Sequence, residues 1–127
     1  MTITFIDARL PERIHALLAA RFGGDRNLRD RGALESALDR ARNKAAHGET
    51  DIAVLAASYL FGLTRNCPFT EGNRRTALVV AAAFLALNGC SLTASDAESY
   101  AFMMMLAAGE IDEDGAARFL RDFTIPP

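Results

Sequence analysis

Apolar residues recur along the chain at three- and four-residue spacing, the period of helices that bury one face. Pro11 suits the first turn of a helix, where its missing N–H costs little, and Ile14, Leu17, Leu18 and Phe22 then fall on one face before Gly23-Gly24. His15, beside Ile14, falls on the solvent side of that pattern. Asp30 is placed to cap a second helix carrying Leu34, Ala37, Leu38 and Ala41. The polar stretch Asn43 to Thr50 reads as a loop. Asp51 opens a third helix with Ile52, Leu55, Tyr59 and Leu63. Asn66-Cys67-Pro68 ends it, because proline lacks a donor and restrains the residue before it.

A fourth helix is expected from near Gly72 to Asn88-Gly89. Its segment from Ala77 to Leu87 is apolar on every side, which in a soluble bundle marks a helix enclosed by others, the central post. Ser95 and Glu98 have the spacing of a capping box for a fifth helix through Ala107, and Asp112 is placed to cap a sixth with Ala116, Phe119 and Leu120. Ile3 to Ile6 is the one strand candidate. The pattern predicts an all-α fold: one domain over residues 1–127, a compact bundle of about six helices around a central apolar helix.

Composition agrees with one core, since half of the 127 residues are hydrophobic. A net charge of −2 argues against sequence-independent nucleic-acid binding, which needs a basic face. Cys67 and Cys90 form no metal-spaced cluster, so a reducing compartment is the simpler expectation. The segment Met1 to Leu10 lacks a signal-peptide layout, and the longest apolar run is too short for a bilayer. A cytoplasmic location is expected.

The chemistry concentrates in Cys67-Pro68-Phe69-Thr70-Glu71-Gly72-Asn73-Arg74-Arg75-Thr76. It sets an acid, a glycine, an amide and two cations at the mouth of the fourth helix, where free N–H groups and the helix dipole favour an anion. Gly72 lets a phosphate approach the backbone, Arg74 and Arg75 offer multidentate donors, and Glu71 suits Mg²⁺ beside phosphates. Residue types alone leave a second reading open: a loop and cap with two surface arginines. Phe69 reads as a core anchor for the loop.

This segment resembles the motif of the Fic family, HPFx(D/E)GN followed by basic residues, and is closest to its death-on-curing (Doc) branch, HPFxDGNKRT. Pro68, Phe69, Glu71, Gly72, Asn73, Arg75 and Thr76 match, and Arg74 stands where lysine is usual. The likeness extends to Phe22-Gly23-Gly24, to Arg29-Asp30 through Leu38, to Ala56 through Leu63 and to Phe84 through Gly89.

The resemblance implies a Fido-type helical domain that uses ATP with Mg²⁺ to modify a protein hydroxyl. Most members transfer an adenylyl group. The Doc branch transfers the terminal phosphate, with elongation factor Tu as target, and is restrained by an antitoxin whose C-terminal segment covers the site. By the same analogy Glu71 holds the metal, Gly72, Asn73, Arg74, Arg75 and Thr76 bind the phosphates, and the two arginines balance charge, Arg75 as a catalytic residue. Leu78 stands where adenylylating members carry a further arginine, which favours phosphate transfer.

The departure is at the catalytic position, where the family's histidine base is replaced by Cys67. A free thiol titrates near ~8.5 against ~6.5 for imidazole, and is shorter. Three readings stay open: an inactive or weakened site, natural or engineered; an altered catalyst, with the thiol as nucleophile; or a phosphoryl transfer that needs no strong base. The alternatives to a Doc-like phosphotransferase are a non-catalytic nucleotide- or partner-binding module, an adenylyltransferase, and a purely structural protein. His47 is a minor candidate for a substitute base, and Lys44 to Glu49 for docking a target segment. Cys90 reads as structural. Met103-Met104-Met105 reads as core, or as one wall of a groove for an antitoxin helix.

Overall fold

The computed structural model describes residues 2–127; Met1, the start of the segment read for a leader, lies outside them. Six helices account for most of the chain: α1 Arg9–Phe22, α2 Arg31–Ala46, α3 Ile52–Asn66, α4 Asn73–Leu87, α5 Asp96–Ala107 and α6 Glu113–Asp122. Two short antiparallel strands, β1 Ser91–Leu92 and β2 Thr124–Ile125, pair Ser91 with Ile125 and Leu92 with Thr124. The all-α expectation holds. Among the described residues no helix is long and apolar enough to cross a membrane.

The expected caps form. Asp30, Asp51 and Asp112 accept from the backbone N–H of Ala33, Ala53 and Gly115, and Ser95 with Glu98 makes a reciprocal capping box. Each satisfies donors that a helix start leaves without intrahelical partners. Gly23 ends α1 with φ 84°, a conformation that glycine adopts without steric cost.

The central post is α3 rather than α4. It packs against α2, α4, α5 and α6, and ten of its fifteen residues are buried. On α4, by contrast, Leu87 is 51% exposed and Val79 36%. An all-apolar sequence permits enclosure but does not compel it, and here α4 lies between α3 and α1 with part of its surface left open. Gly62 allows α2 to approach α3 closely, since a Cβ there would lie 3.2 Å from the Ala37 Cα.

Three further expectations are corrected. The loop read at Asn43 to Thr50 begins later, because α2 continues through Ala46. Ile3 to Ile6 forms no strand. Its polar backbone is satisfied by side chains instead: Asn88 bridges the Thr4 N–H and C=O at 2.9 and 3.0 Å, and the Ile6 N–H donates to the Tyr59 hydroxyl at 3.1 Å. On α1 the buried residues are Pro11, Ile14 and His15, while Leu17 and Phe22 are exposed. The helix is rotated from the expected face because His15 finds both an acceptor and an aromatic partner inside.

Candidate active site

The segment from Cys67 to Gly72 joins the C-terminus of α3 to the N-terminus of α4, and it is clamped from two sides. Pro68 C=O accepts from the N–H groups of Arg29 and Asp30 at 2.8 and 3.0 Å, and Thr70 N–H donates to Asn27 C=O at 3.1 Å. These bonds tie the loop to the chain just before α2. Phe69 is buried as the core anchor expected of it.

Asn73 braces the loop from within. Its Oδ1 accepts from Phe69 N–H and its Nδ2 donates to Phe69 C=O, both at 2.9 Å. The side-chain amide is thereby committed to the loop.

That mouth differs chemically from the starts of α2, α3, α5 and α6. Gly72 occupies the N-cap with φ 77°, and no side chain caps α4. Among the described residues, the backbone N–H groups of Gly72, Asn73, Arg74 and Arg75 meet no protein acceptor. Four backbone donors without acceptors at the positive end of a fifteen-residue helix are groups that can hold an anion.

Arg74 and Arg75 are exposed and flank this mouth in different directions. Arg74 reaches toward α5, its Nη1 3.5 Å from the Met104 sulfur. Arg75 lies over the Phe22 ring, 4.6 Å from its centroid, at the end of α1. Thr76 is 1% exposed and its hydroxyl finds no partner. A cleft of about 570 Å³ opens between the mouth and α5, lined by Gly72 to Arg75 and by Leu78, Asp96, Tyr100 and Met104 among others. A smaller one of about 260 Å³ lies toward α1, bordered by Phe22, Gly24, Glu71 and Arg75. The first is of the size that small-molecule sites take, commonly ~300–1,000 Å³.

Glu71 is exposed beside the mouth, with Oε2 accepting from Asp25 N–H at 2.9 Å. Among the described residues no three His, Cys, Asp or Glu side chains converge as a metal cage. Mg²⁺ does not require one, because it is commonly held by one or two carboxylates together with nucleotide phosphates and water. Glu71, one carboxylate next to an anion site, fits that donor set.

Cys67 is exposed and lines neither cleft. Its backbone is left-handed, φ 46° and ψ 59°, as the C-cap of α3, and the guanidinium of Arg29 donates to its carbonyl. The thiol turns back toward Thr64 C=O at 3.3 Å. The other cysteine, Cys90, is buried. His47 sits at the exposed end of α2, and its Nδ1 is engaged by Asn43 C=O at 2.7 Å. Met103 is buried, whereas Met104 and Met105 are 45% and 43% exposed, so the core reading holds for the first of the three alone.

The residue that the helical pattern missed is His15. It is 3% exposed, its Nε2 lies 2.7 Å from Glu71 C=O, and its ring stacks on Phe69 at 3.9 Å. No local signal distinguishes it, because both partners come from a loop more than fifty positions away.

The chain is similar in sequence to known proteins over most of its length. The model of the Fic/DOC family matches residues 5–85. The "Protein kinase doc" of Escherichia phage P1 is 35% identical over 115 residues, covering 87% of this chain and 90% of that protein. The "Toxin Doc" of Mycolicibacterium smegmatis is 35% identical over 107 residues, covering 80% and 82%. The match spans α1 through most of α4 and includes the loop, the uncapped helix mouth and both arginines, and the chain therefore belongs to the Fic/DOC family.

Proposed function

We propose that this protein is a Doc-like toxin: an ATP- and Mg²⁺-dependent phosphotransferase acting on a protein hydroxyl and restrained by an antitoxin. One observation carries the reading. Four free backbone N–H groups, two arginines and one carboxylate surround the mouth of α4, beside a cleft large enough for a nucleotide. In this reading the terminal phosphates lie against Gly72 and the first turn of α4, and Arg74 and Arg75 neutralise charge that builds during transfer. Thr76 stands beneath the phosphates with a spare hydroxyl. Glu71 would hold Mg²⁺, which supplies charge neutralisation on the phosphates when bound. The side chains of Leu78, Tyr100 and Met104 offer an apolar wall for the rest of the nucleotide.

The names of the two relatives support kinase and toxin chemistry. The family target, elongation factor Tu, and the antitoxin are carried over by that likeness. The exposed Met104 and Met105 give an antitoxin helix an adaptable apolar surface near the site. A cytoplasmic location belongs to the same proposal.

A second reading, a nucleotide-binding module without turnover, draws on Cys67. Its thiol lines neither cleft and turns toward Thr64, so the residue at the family's base position is not aimed into either of them. Intact mass spectrometry of elongation factor Tu, incubated with Mg²⁺, ATP and either this protein or its Cys67→His variant, separates the two. A phosphate-sized gain from both supports the enzyme. A gain from the histidine variant alone supports a phosphotransferase scaffold silenced at one residue. An adenylyl-sized gain overturns the choice of reaction, and no gain from either sinks the proposed target.

A further inference from the structure

Beneath the motif loop lies a buried histidine for which the proposed reaction has no use. The Nε2 of His15 is 2.7 Å from Glu71 C=O, and a carbonyl oxygen only accepts, so this nitrogen carries the ring proton. The ring stacks on Phe69 with planes 7° apart, which fixes its orientation. The Glu71–Gly72 peptide is trans, and in a planar trans peptide the C=O and N–H point in opposite directions. With the carbonyl drawn inward onto His15, the Gly72 N–H faces outward to the mouth of α4, where it meets no protein acceptor.

Glycine makes this restraint consequential. Gly72 sits at φ 77° and accepts either sign of φ at little cost, so nothing in its own backbone prevents that peptide from flipping. A flipped peptide would present a carbonyl oxygen to an incoming phosphate. We propose that His15 is a positioning residue that prevents this flip, holding the Glu71 carbonyl so that the Gly72 N–H is aimed at the nucleotide's terminal phosphate. The inference rests on the nucleotide reading of the site. It differs from ordinary core packing in predicting which atom matters: the Nε2 proton, rather than the volume of the ring.

Long-range ¹H–¹⁵N NMR of the wild-type protein tests the first step, with the Nε2–H tautomer expected. A ring protonated only at Nδ1 would overturn the proposal. Titration of Mg·ATP into wild type, His15→Gln and His15→Phe then separates donor from ring. The phenylalanine variant, which keeps the ring and loses the donor, should bind about tenfold more weakly and shift the Gly72 amide resonance. The glutamine variant, which keeps a donor, should restore both. Wild-type affinity and an unmoved Gly72 amide in the phenylalanine variant would overturn the inference. Absence of nucleotide binding by the wild type would sink the proposed function, while the tautomer and the Gly72 amide would still decide the role of His15. If neither variant folds, the wild-type tautomer decides it alone.

Discussion

At the scale of single residues the site turns on Cys67. The position demands a left-handed backbone at the end of α3, a conformation that costs non-glycine residues steric energy but is enriched several-fold for histidine. Histidine therefore fits the Cys67 backbone at least as well as cysteine, and its ring extends further from the chain. We expect Cys67→His to raise the rate of phosphate transfer at least ~100-fold, the low end of what a positioned general base contributes. Its melting temperature should stay close to that of the parent. Rate assays on elongation factor Tu with thermal melts on both proteins check this, and equal rates would assign the chemistry to positioning alone.

At the scale of elements the contrast lies between the side-chain-capped starts of α2, α3, α5 and α6 and the uncapped start of α4 at the motif. Asp112 caps α6 through Gly115 N–H at 2.7 Å, and Asp112→Ala should cost about 1 kcal/mol, readable by denaturant unfolding. Asp51 does two things, since it caps α3 and receives Arg121 from the last turn of α6 at 2.7 Å. Partial burial pushes the Asp51 carboxyl up, but the Arg121 guanidinium and the Ala53 N–H outweigh it and hold the group below the ordinary aspartate range. A carboxyl lowered on folding stabilises the fold at pH above its unfolded value, ~3.9, and loses that contribution as acid carries the pH down through its folded value. Melting temperature should therefore fall less steeply below pH ~4 in Asp51→Asn than in the parent. Superimposable acid-side profiles would show that the pair contributes nothing.

At the scale of the molecule, the bundle depends on how closely the other helices approach α3. Glu113 at the start of α6 receives Arg40 and Lys44 from α2 and the Ser58 hydroxyl from α3, tying three helices at one carboxylate. Gly62 sits under that network, where an added Cβ would meet Arg40 Cδ at 2.9 Å and the Ala37 backbone at 3.2 Å. Arg40 can shift but the α2 backbone cannot do so freely, so Gly62→Ala should destabilise by about 1–3 kcal/mol despite the better helix propensity of alanine. Chemical denaturation measures this, and an unchanged midpoint would mean that α2 and α3 are less tightly fitted than the distances indicate.

The parts of this protein that the sequence determined are those governed by neighbours along the chain. The caps at Asp30, Asp51, Ser95 and Asp112, the stops at Gly23 and Pro68, and the grouping of acid, glycine, amide and arginines from Glu71 to Arg75 are local, because each depends on residues a few positions apart. Tertiary structure decided what depends on partners distant in sequence. Apolar periodicity could not choose α3 over α4 as the enclosed helix, since that follows from which faces of the bundle other elements cover. It placed His15 in solvent because a polar ring buries only where an acceptor waits, and that acceptor, Glu71 C=O, comes from the motif loop. Ile3 to Ile6 likewise has strand-like residues without a strand to join, and the side chains of Asn88 and Tyr59 satisfy its backbone instead.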